Sequence, residues 1–185
     1  MELTVTTRKA EKKNDAKKLR REGMIPAIIY SEGKSGVTVG VSAVEFKKVL
    51  DRITPGALPA IVFTLMIEGK KIKAIVKGIQ YHVTSYQVIH LDFIELHEKT
   101  KVTLNVPIVC QNVVDCAGVK LGGVLRQVVR HLKVRCLPKD IPTQFDVDVK
   151  DLELHEKLML YDVPLPDTVE PRMSLDTVAV AIGKR

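Results

Sequence analysis

Ala60-Ile61-Val62-Phe63-Thr64-Leu65-Met66-Ile67, then Glu68-Gly69-Lys70, then Lys71-Ile72-Lys73-Ala74-Ile75-Val76 reads as two strands joined by a glycine-containing turn. Working outward, Ile79–Val83 and Gln87–Ile94 continue the β pattern, and upstream Glu2–Thr7 alternates with Leu3 and Val5 on one face. Pro26–Tyr30 is a strand whose proline sits at its start, where no ladder donor is lost, and Val37–Val41 is another. Two helices interrupt this series. Asn14 or Asp15 caps a short one through Ala16–Glu22, ended by Gly23 and Pro26, with only Ala16 and Leu19 as an apolar seam. Ser42-x-x-Glu45 is a capping box for the other, in which Phe46, Val49, Leu50 and Ile53 recur at helical spacing before Thr54-Pro55-Gly56. Short strands with few helices predict a mainly β (α+β) chain whose N-terminal part is an antiparallel, barrel-like domain.

The charge character changes around Glu95–Lys99, which places a domain boundary between 97 and 98. Beyond it, Lys101–Cys110 alternates as a half-buried strand, and Leu132–Leu137, Gln144–Val149, Leu158–Val163 and Thr177–Ile182 are strand-like. Val124–Arg130 is a possible helix. The second domain, 98–185, is therefore expected to be β-rich.

The 185 residues are 45% apolar and 28% charged, ordinary for a globular protein. Ile61–Ile67 is stopped by Glu68, Gly69 and Lys70, far short of the ~18 apolar residues of a membrane span. Met1–Ala10 alternates rather than forming a basic start and an apolar block, so no targeting segment is expected and the cytoplasm is. Cys110, Cys116 and Cys136 are odd in number and lack a C-x-x-C pair, against a disulfide scaffold or a structural zinc.

The net charge of +7 is unevenly spread. Residues 1–97 hold 16 basic side chains against 10 acidic, and residues 98–185 hold 13 against 12. Residues 8–21 alone carry eight bases (Arg8, Lys9, Lys12, Lys13, Lys17, Lys18, Arg20, Arg21) against Glu11 and Asp15. Such a cluster tracks phosphates, with affinity largely from counterion release, although solvated basic runs are also common near N-termini. In the second half, residues 120–139 have six bases and no acid while 140–176 have three bases and ten acids, blocks that can pair with each other or face water.

Enzyme chemistry finds little support. His131, Cys136 and Asp140 lie close in sequence, but an odd spacing puts His131 and Cys136 on opposite faces of a strand. Gly118 and Gly122-Gly123 fit no dinucleotide or phosphate-loop fingerprint, and Glu95-Leu96-His97-Glu98 lacks a second imidazole for a metal. No cofactor is expected. A polar pair stands out instead. In Val88-Ile89-His90-Leu91-Asp92-Phe93 one face is Ile89, Leu91 and Phe93 and the other His90 and Asp92, about 6.5–7 Å apart along the strand. A carboxylate accepts from a base amino group and an imidazole hydrogen-bonds or stacks, as base-edge reading in a shallow RNA groove requires. The alternative is an ordinary surface pair. Lys77, Gln80 and Tyr30 extend such a platform if the strands bring them together.

On these residues the sequence resembles the bacterial large-subunit ribosomal protein of family twenty-five, also called the Ctc or general stress protein family, which binds 5S ribosomal RNA. The resemblance rests on Arg8-Lys9 with Lys17-Lys18-Leu19-Arg20, on Gly23-Met24-Ile25-Pro26-Ala27-Ile28-Ile29-Tyr30, and on Gln80 with His90-Leu91-Asp92-Phe93. In the second half, Gly122-Gly123-Val124-Leu125, Val134-Arg135-Cys136-Leu137-Pro138 and Ile141-Pro142 resemble the extra domain of the longer members. It implies a non-catalytic protein of the large ribosomal subunit, RNA contacts at Arg8, Lys13, Lys17, Arg20, Tyr30, Lys77, Gln80, His90 and Asp92, and neighbouring ribosomal proteins as further partners. Lys9, Lys18 and Arg21 complete the basic patch. The chain departs from the family at Lys12-Lys13-Asn14-Asp15 and at Ser31, where glycines are usual, and at Lys17 and Lys18, where arginine is common and a point charge replaces a planar fork. A regulator binding other structured RNA and, more remotely, a Cys/His hydrolase are the competing readings.

Overall fold

The computed structural model describes residues 1–8, 13–31, 35–67 and 69–184, without the side chain of Lys13. The expected contact at Lys9 lies outside these residues. The chain divides into two compact units, Met1–Thr100 and Lys101–Arg185.

The first unit runs β1 (Glu2–Thr7), α1 (Lys13–Arg21), β2 (Met24–Tyr30), β3 (Val37–Ser42), α2 (Ala43–Leu50), β4 (Val62–Ile67), β5 (Lys70–Tyr81) and β6 (Val88–Glu95). The six strands close into a barrel in the order β1-β3-β2-β6-β5-β4. Four pairings are antiparallel, but β1 with β4 and β2 with β6 are parallel, so the barrel is mixed. A closed sheet has no free edge and one interior, and alternation fills it: Leu3, Val5, Ala27, Ile29, Val39, Val41, Phe63, Leu65, Val76, Leu91 and Phe93 are all buried. Phe63 and Phe93 meet edge to face at 6.2 Å between centroids.

Several elements differ from the expectation in extent. The opening hairpin forms with Val62 opposite Ile75 and Ile67 opposite Lys70, and Gly69 takes φ +82, which a side chain resists. Val76 and Ile79 belong to one strand, not two. Its ladder shifts between Val76 and Gly78, a bulge at Lys77 that bends β5 around the barrel without ending it. Helix α1 starts at Lys13, so Asn14 and Asp15 fall within its first turn instead of capping it. Gly23 at φ +76 ends it as expected. Ser42 caps α2 by accepting the Glu45 N–H at 3.4 Å, yet the Glu45 carboxylate accepts from the Thr4 N–H at 3.3 Å and ties α2 to β1. That helix stops at Leu50, with Ile53 packed on the core from beyond its end.

The second unit comprises β7 (Val102–Gln111), a single helical turn α3 (Ala117–Lys120), β8 (Gly123–Gln127), β9 (His131–Cys136), β10 (Phe145–Asp148), β11 (Lys157–Met159), β12 (Glu170–Pro171) and β13 (Val178–Lys184). They form a four-stranded sheet β10-β7-β9-β12 and a three-stranded sheet β11-β13-β8. The expected helix over Val124–Arg130 is not formed: Gly123–Gln127 is a strand paired with Lys184–Val180 of β13. A short apolar pattern is ambiguous in period, and a partner strand far away in sequence decided it. Gly123 packs where a Cβ would lie 2.7 Å from the Gly118 carbonyl oxygen and from Ile182 Cγ2, an approach only glycine permits. The expected strand over Leu158–Val163 ends at Met159 and continues as the 3-10 turn Leu160–Asp162, fastened by the Met159 N–H donating to Asp162 Oδ2 at 2.9 Å.

Among the described residues, no ion pair within 4 Å joins the two opposite charge blocks of this unit. Lys120 reaches Asp115 at 3.0 Å, and Glu170 receives both Lys101 and Arg172. These contacts hold the Glu170 carboxyl below its ordinary value, chiefly through the hydrogen bond from Lys101. On β9, His131 is exposed and Cys136 buried, with burial and the nearby Asp140 raising the thiol above its ordinary value. The thiol is sealed and protonated where a nucleophile would have to be open and ionised.

Candidate nucleic-acid interface

The strand order puts β2, β6 and β5 side by side, and register fixes what their outer face carries. Along β6, residues 91 and 93 point into the core, so His90 and Asp92 point outward. Gln80 of β5 is opposite His90, while Gly78 of β5 and Ile28 of β2 flank Asp92. One step further, Tyr30 pairs with Ile94, so the tyrosine stands at a level about 13 Å along the strand from that of His90. Tyr30 is 46% exposed, and Gly36 leaves room beside it, since a Cβ there would come within 3.4 Å of the ring. Lys77, the bulge residue, is exposed at the level of Phe93 and Asp92.

Two details set the chemistry of the central pair. His90 Nδ1 lies 3.2 Å from Asp92 Oδ1, but off the line of a hydrogen bond, and is a buried nitrogen with no hydrogen-bond partner among the described residues. The imidazole is thus fixed edge-inward by packing, and Nε2 is its polar atom left for an outside group. Asp92 lies across Gly78: a Cβ at that position would be 2.8 Å from Oδ2. The glycine is what allows the carboxylate to rest flat on the neighbouring strand. Sequence reading missed this role of Gly78, although an isolated glycine inside a strand pattern signals a bulge or close approach.

The basic helix reaches the same face. Leu19 enters over Gly40 of β3, where a Cβ would come within 3.4 Å of Leu19 Cδ2 and 3.3 Å of Met24 Cε. Arg20 then donates from Nε and Nη2 to the carbonyl oxygen of Ile89, at 3.1 and 2.9 Å. That carbonyl belongs to the residue before His90. Arg20 is accordingly a strap between α1 and β6, although it is exposed like Lys17, Lys18 and Arg21, the other described cations of the helix. Arg8, at the end of β1, donates from Nε to the Val39 carbonyl at 3.3 Å, while its own carbonyl accepts from Thr38 Oγ1 at 2.7 Å. Thr38 is opposite Ile28, so Arg8 flanks the face from the β3 side.

The fold thus brings the Arg20 guanidinium of an N-terminal helix onto the strand that carries His90 and Asp92, some seventy residues later. Comparison with known proteins gives the family of the chain. The profile of the Ribosomal L25p family matches residues 3–93, and that of the Ribosomal protein TL5, C-terminal domain, matches residues 101–185. Proteins named "Large ribosomal subunit protein bL25" align over the whole of both chains, with 51% identity in Chlamydia muridarum, 52% in Chlamydia trachomatis serovar L2 and 49% in Chlamydia pneumoniae. None of these matches points to a hydrolase or to a regulator of other RNA. With an L25p-type barrel followed by a TL5-type β unit, and full-length relatives at about half identity, this chain belongs to the Ribosomal L25p family in its two-domain form.

Proposed function

We propose that this chain, a non-enzymatic constituent of the large ribosomal subunit, works on cytoplasmic ribosomes by binding 5S ribosomal RNA through the outer face of β2, β6 and β5 and helix α1. The single observation that carries this reading is the pair of hydrogen bonds from Arg20 to the Ile89 carbonyl, which docks the basic helix beside His90 and Asp92. Lys17, Lys18 and Arg21, with Lys13, Lys9 and Arg8 before them, take phosphates. Asp92, held over Gly78, accepts from an exocyclic amino group, and His90 offers Nε2. Lys77 and Gln80 border the same patch, and Tyr30 supplies a ring at its far end. Phosphate contacts position the RNA, and the His90–Asp92 pair tells one sequence from another. Neighbouring ribosomal proteins are the partners assigned to the second unit.

The test compares 5S RNA with a random duplex on the full chain. Asp92→Ala weakens 5S binding by about 5- to 150-fold, the worth of one good base contact, and leaves the duplex unchanged. Lys17→Ala weakens both and lowers the salt slope by about one. Equal losses on both RNAs for Asp92→Ala would remove the base-reading role.

A further inference from the structure

Helix α2 and the β5–β6 connection border a groove of ≈ 580 Å3 that shares Arg20 with the interface above. Tyr81 lines it from the end of β5 and Tyr86 from the connection, Val44, Lys47 and Asp51 from α2 and its C-terminal end, and Arg20 and Ile89 close its floor toward β6. Its apolar surface is in contact with solvent: Tyr86 is 78% exposed, Val44 64% and Tyr81 47%. A volume of that order accommodates a small organic group with its polar appendage.

The loop presenting Tyr86 is stiff. Its ends are joined by the His82 N–H donating to Gln87 O at 2.8 Å and the Tyr86 N–H donating to His82 O at 2.9 Å. Inside it, His82 Nδ1 accepts from Thr84 Oγ1 at 3.1 Å and from the Ser85 N–H at 3.3 Å. Tyr86 itself is held at φ 53, a conformation costly for an aromatic residue. Burial does not explain the placement, because the ring is almost wholly in water. A rigid, exposed ring loses little conformational freedom when something stacks on it.

We propose that this groove receives an unpaired nucleotide of the same RNA, its base against Tyr81 or Tyr86 and its phosphate beside Lys47 and the free edge of the Arg20 guanidinium. The inference rests on the RNA-binding reading above. Two cations, Lys47 of α2 and Arg20 on the floor, against one carboxylate, Asp51, argue for an anionic occupant: Lys47 makes no ion pair within 4 Å among the described residues, and Arg20 uses only Nε and Nη2 on Ile89. Continuity argues for the same RNA, since Arg20 lines the groove and is also the residue that straps α1, the basic helix of the interface, to β6. Aromatic faces accept any base, so the groove adds affinity without sequence preference.

The experiment measures 5S RNA affinity of the full chain with Tyr81→Ala, Tyr86→Ala, Tyr86→Phe and Asp92→Ala, with Tyr161→Ala in the second unit as control. Ultraviolet crosslinking to RNA carrying 5-iodouridine, read by peptide mass spectrometry, accompanies it. The expected result is a loss of about 5- to 150-fold for at least one tyrosine-to-alanine variant. Tyr86→Phe and Tyr161→Ala then bind as wild type, and the RNA adduct sits on Tyr81 or Tyr86. Wild-type affinity in both alanine variants, with Asp92→Ala still impaired, overturns the groove and leaves the interface standing. The same outcome with loss of a neighbouring ribosomal protein would make the occupant a protein and equally overturn it. If the unmodified chain fails to bind 5S RNA, the interface itself falls and the groove with it.

Discussion

Adding one methyl group at Gly78 separates the placing of the Asp92 carboxylate from the stability of the barrel. A Cβ there would stand 2.8 Å from Asp92 Oδ2 and 3.5 Å from its Cβ and Cγ, so only the carboxylate tip is in the way. It must retreat by roughly 0.6 Å to reach ordinary contact, by turning away from a low-energy rotamer at a cost of about 0.5–1.5 kcal/mol. Replacing glycine restricts the unfolded chain and returns about 0.4–1 kcal/mol. The two nearly cancel, so Gly78→Ala shifts Tm by less than ~8 °C. RNA binding behaves differently: the carboxylate has left the plane in which it accepts, and 5S affinity falls by about 5- to 150-fold, as for Asp92→Ala. The double variant decides the route, because an effect passing through Asp92 leaves Gly78→Ala/Asp92→Ala no weaker than Asp92→Ala alone. Filter binding and thermal melting provide both readouts. A Gly78→Ala protein with wild-type affinity, or a double variant whose losses add, would refute the argument.

Arg20→Met removes two hydrogen bonds to a carbonyl that water can then solvate, so the barrel loses only ~0.5–1.5 kcal/mol while amide exchange in Lys13–Arg21 quickens; unchanged exchange would show that the strap is idle. In the second unit, Gly123→Ala drives a methyl into the Gly118 carbonyl and Ile182 and costs ~1–3 kcal/mol, visible as faster exchange in β8 and β13. The depressed Glu170 carboxyl adds stability that is complete above its ordinary value of 4.5 and is lost as the pH falls through its lower folded value. Lys101→Met removes most of that acid limb, which a series of urea midpoints against pH would reveal, and a limb of unchanged size would discount the pair.

The sequence by itself carried much of what local period and local composition set. Alternation placed Leu91 and Phe93 inward and therefore His90 and Asp92 outward, Ser42 announced the start of α2, and Gly23 the end of α1. These are statements about neighbours a few residues apart, which side-chain geometry dictates without reference to the rest of the chain. What a distant partner decides could not be read so. Val124–Gln127 fits a helix or a strand until β13 arrives to pair with it, and Val76 and Ile79 join into one strand only because β6 runs past both. Within the interface, sequence offered Arg20 as one more cation, whereas packing of Leu19 over Gly40 turned its guanidinium onto the Ile89 carbonyl. The closeness of helix and carboxylate is a property of barrel closure, in which hydrogen-bonded neighbours β2 and β6 are separated by some sixty residues of chain. Local forces fix which way each side chain faces; only the closed sheet fixes which of them meet.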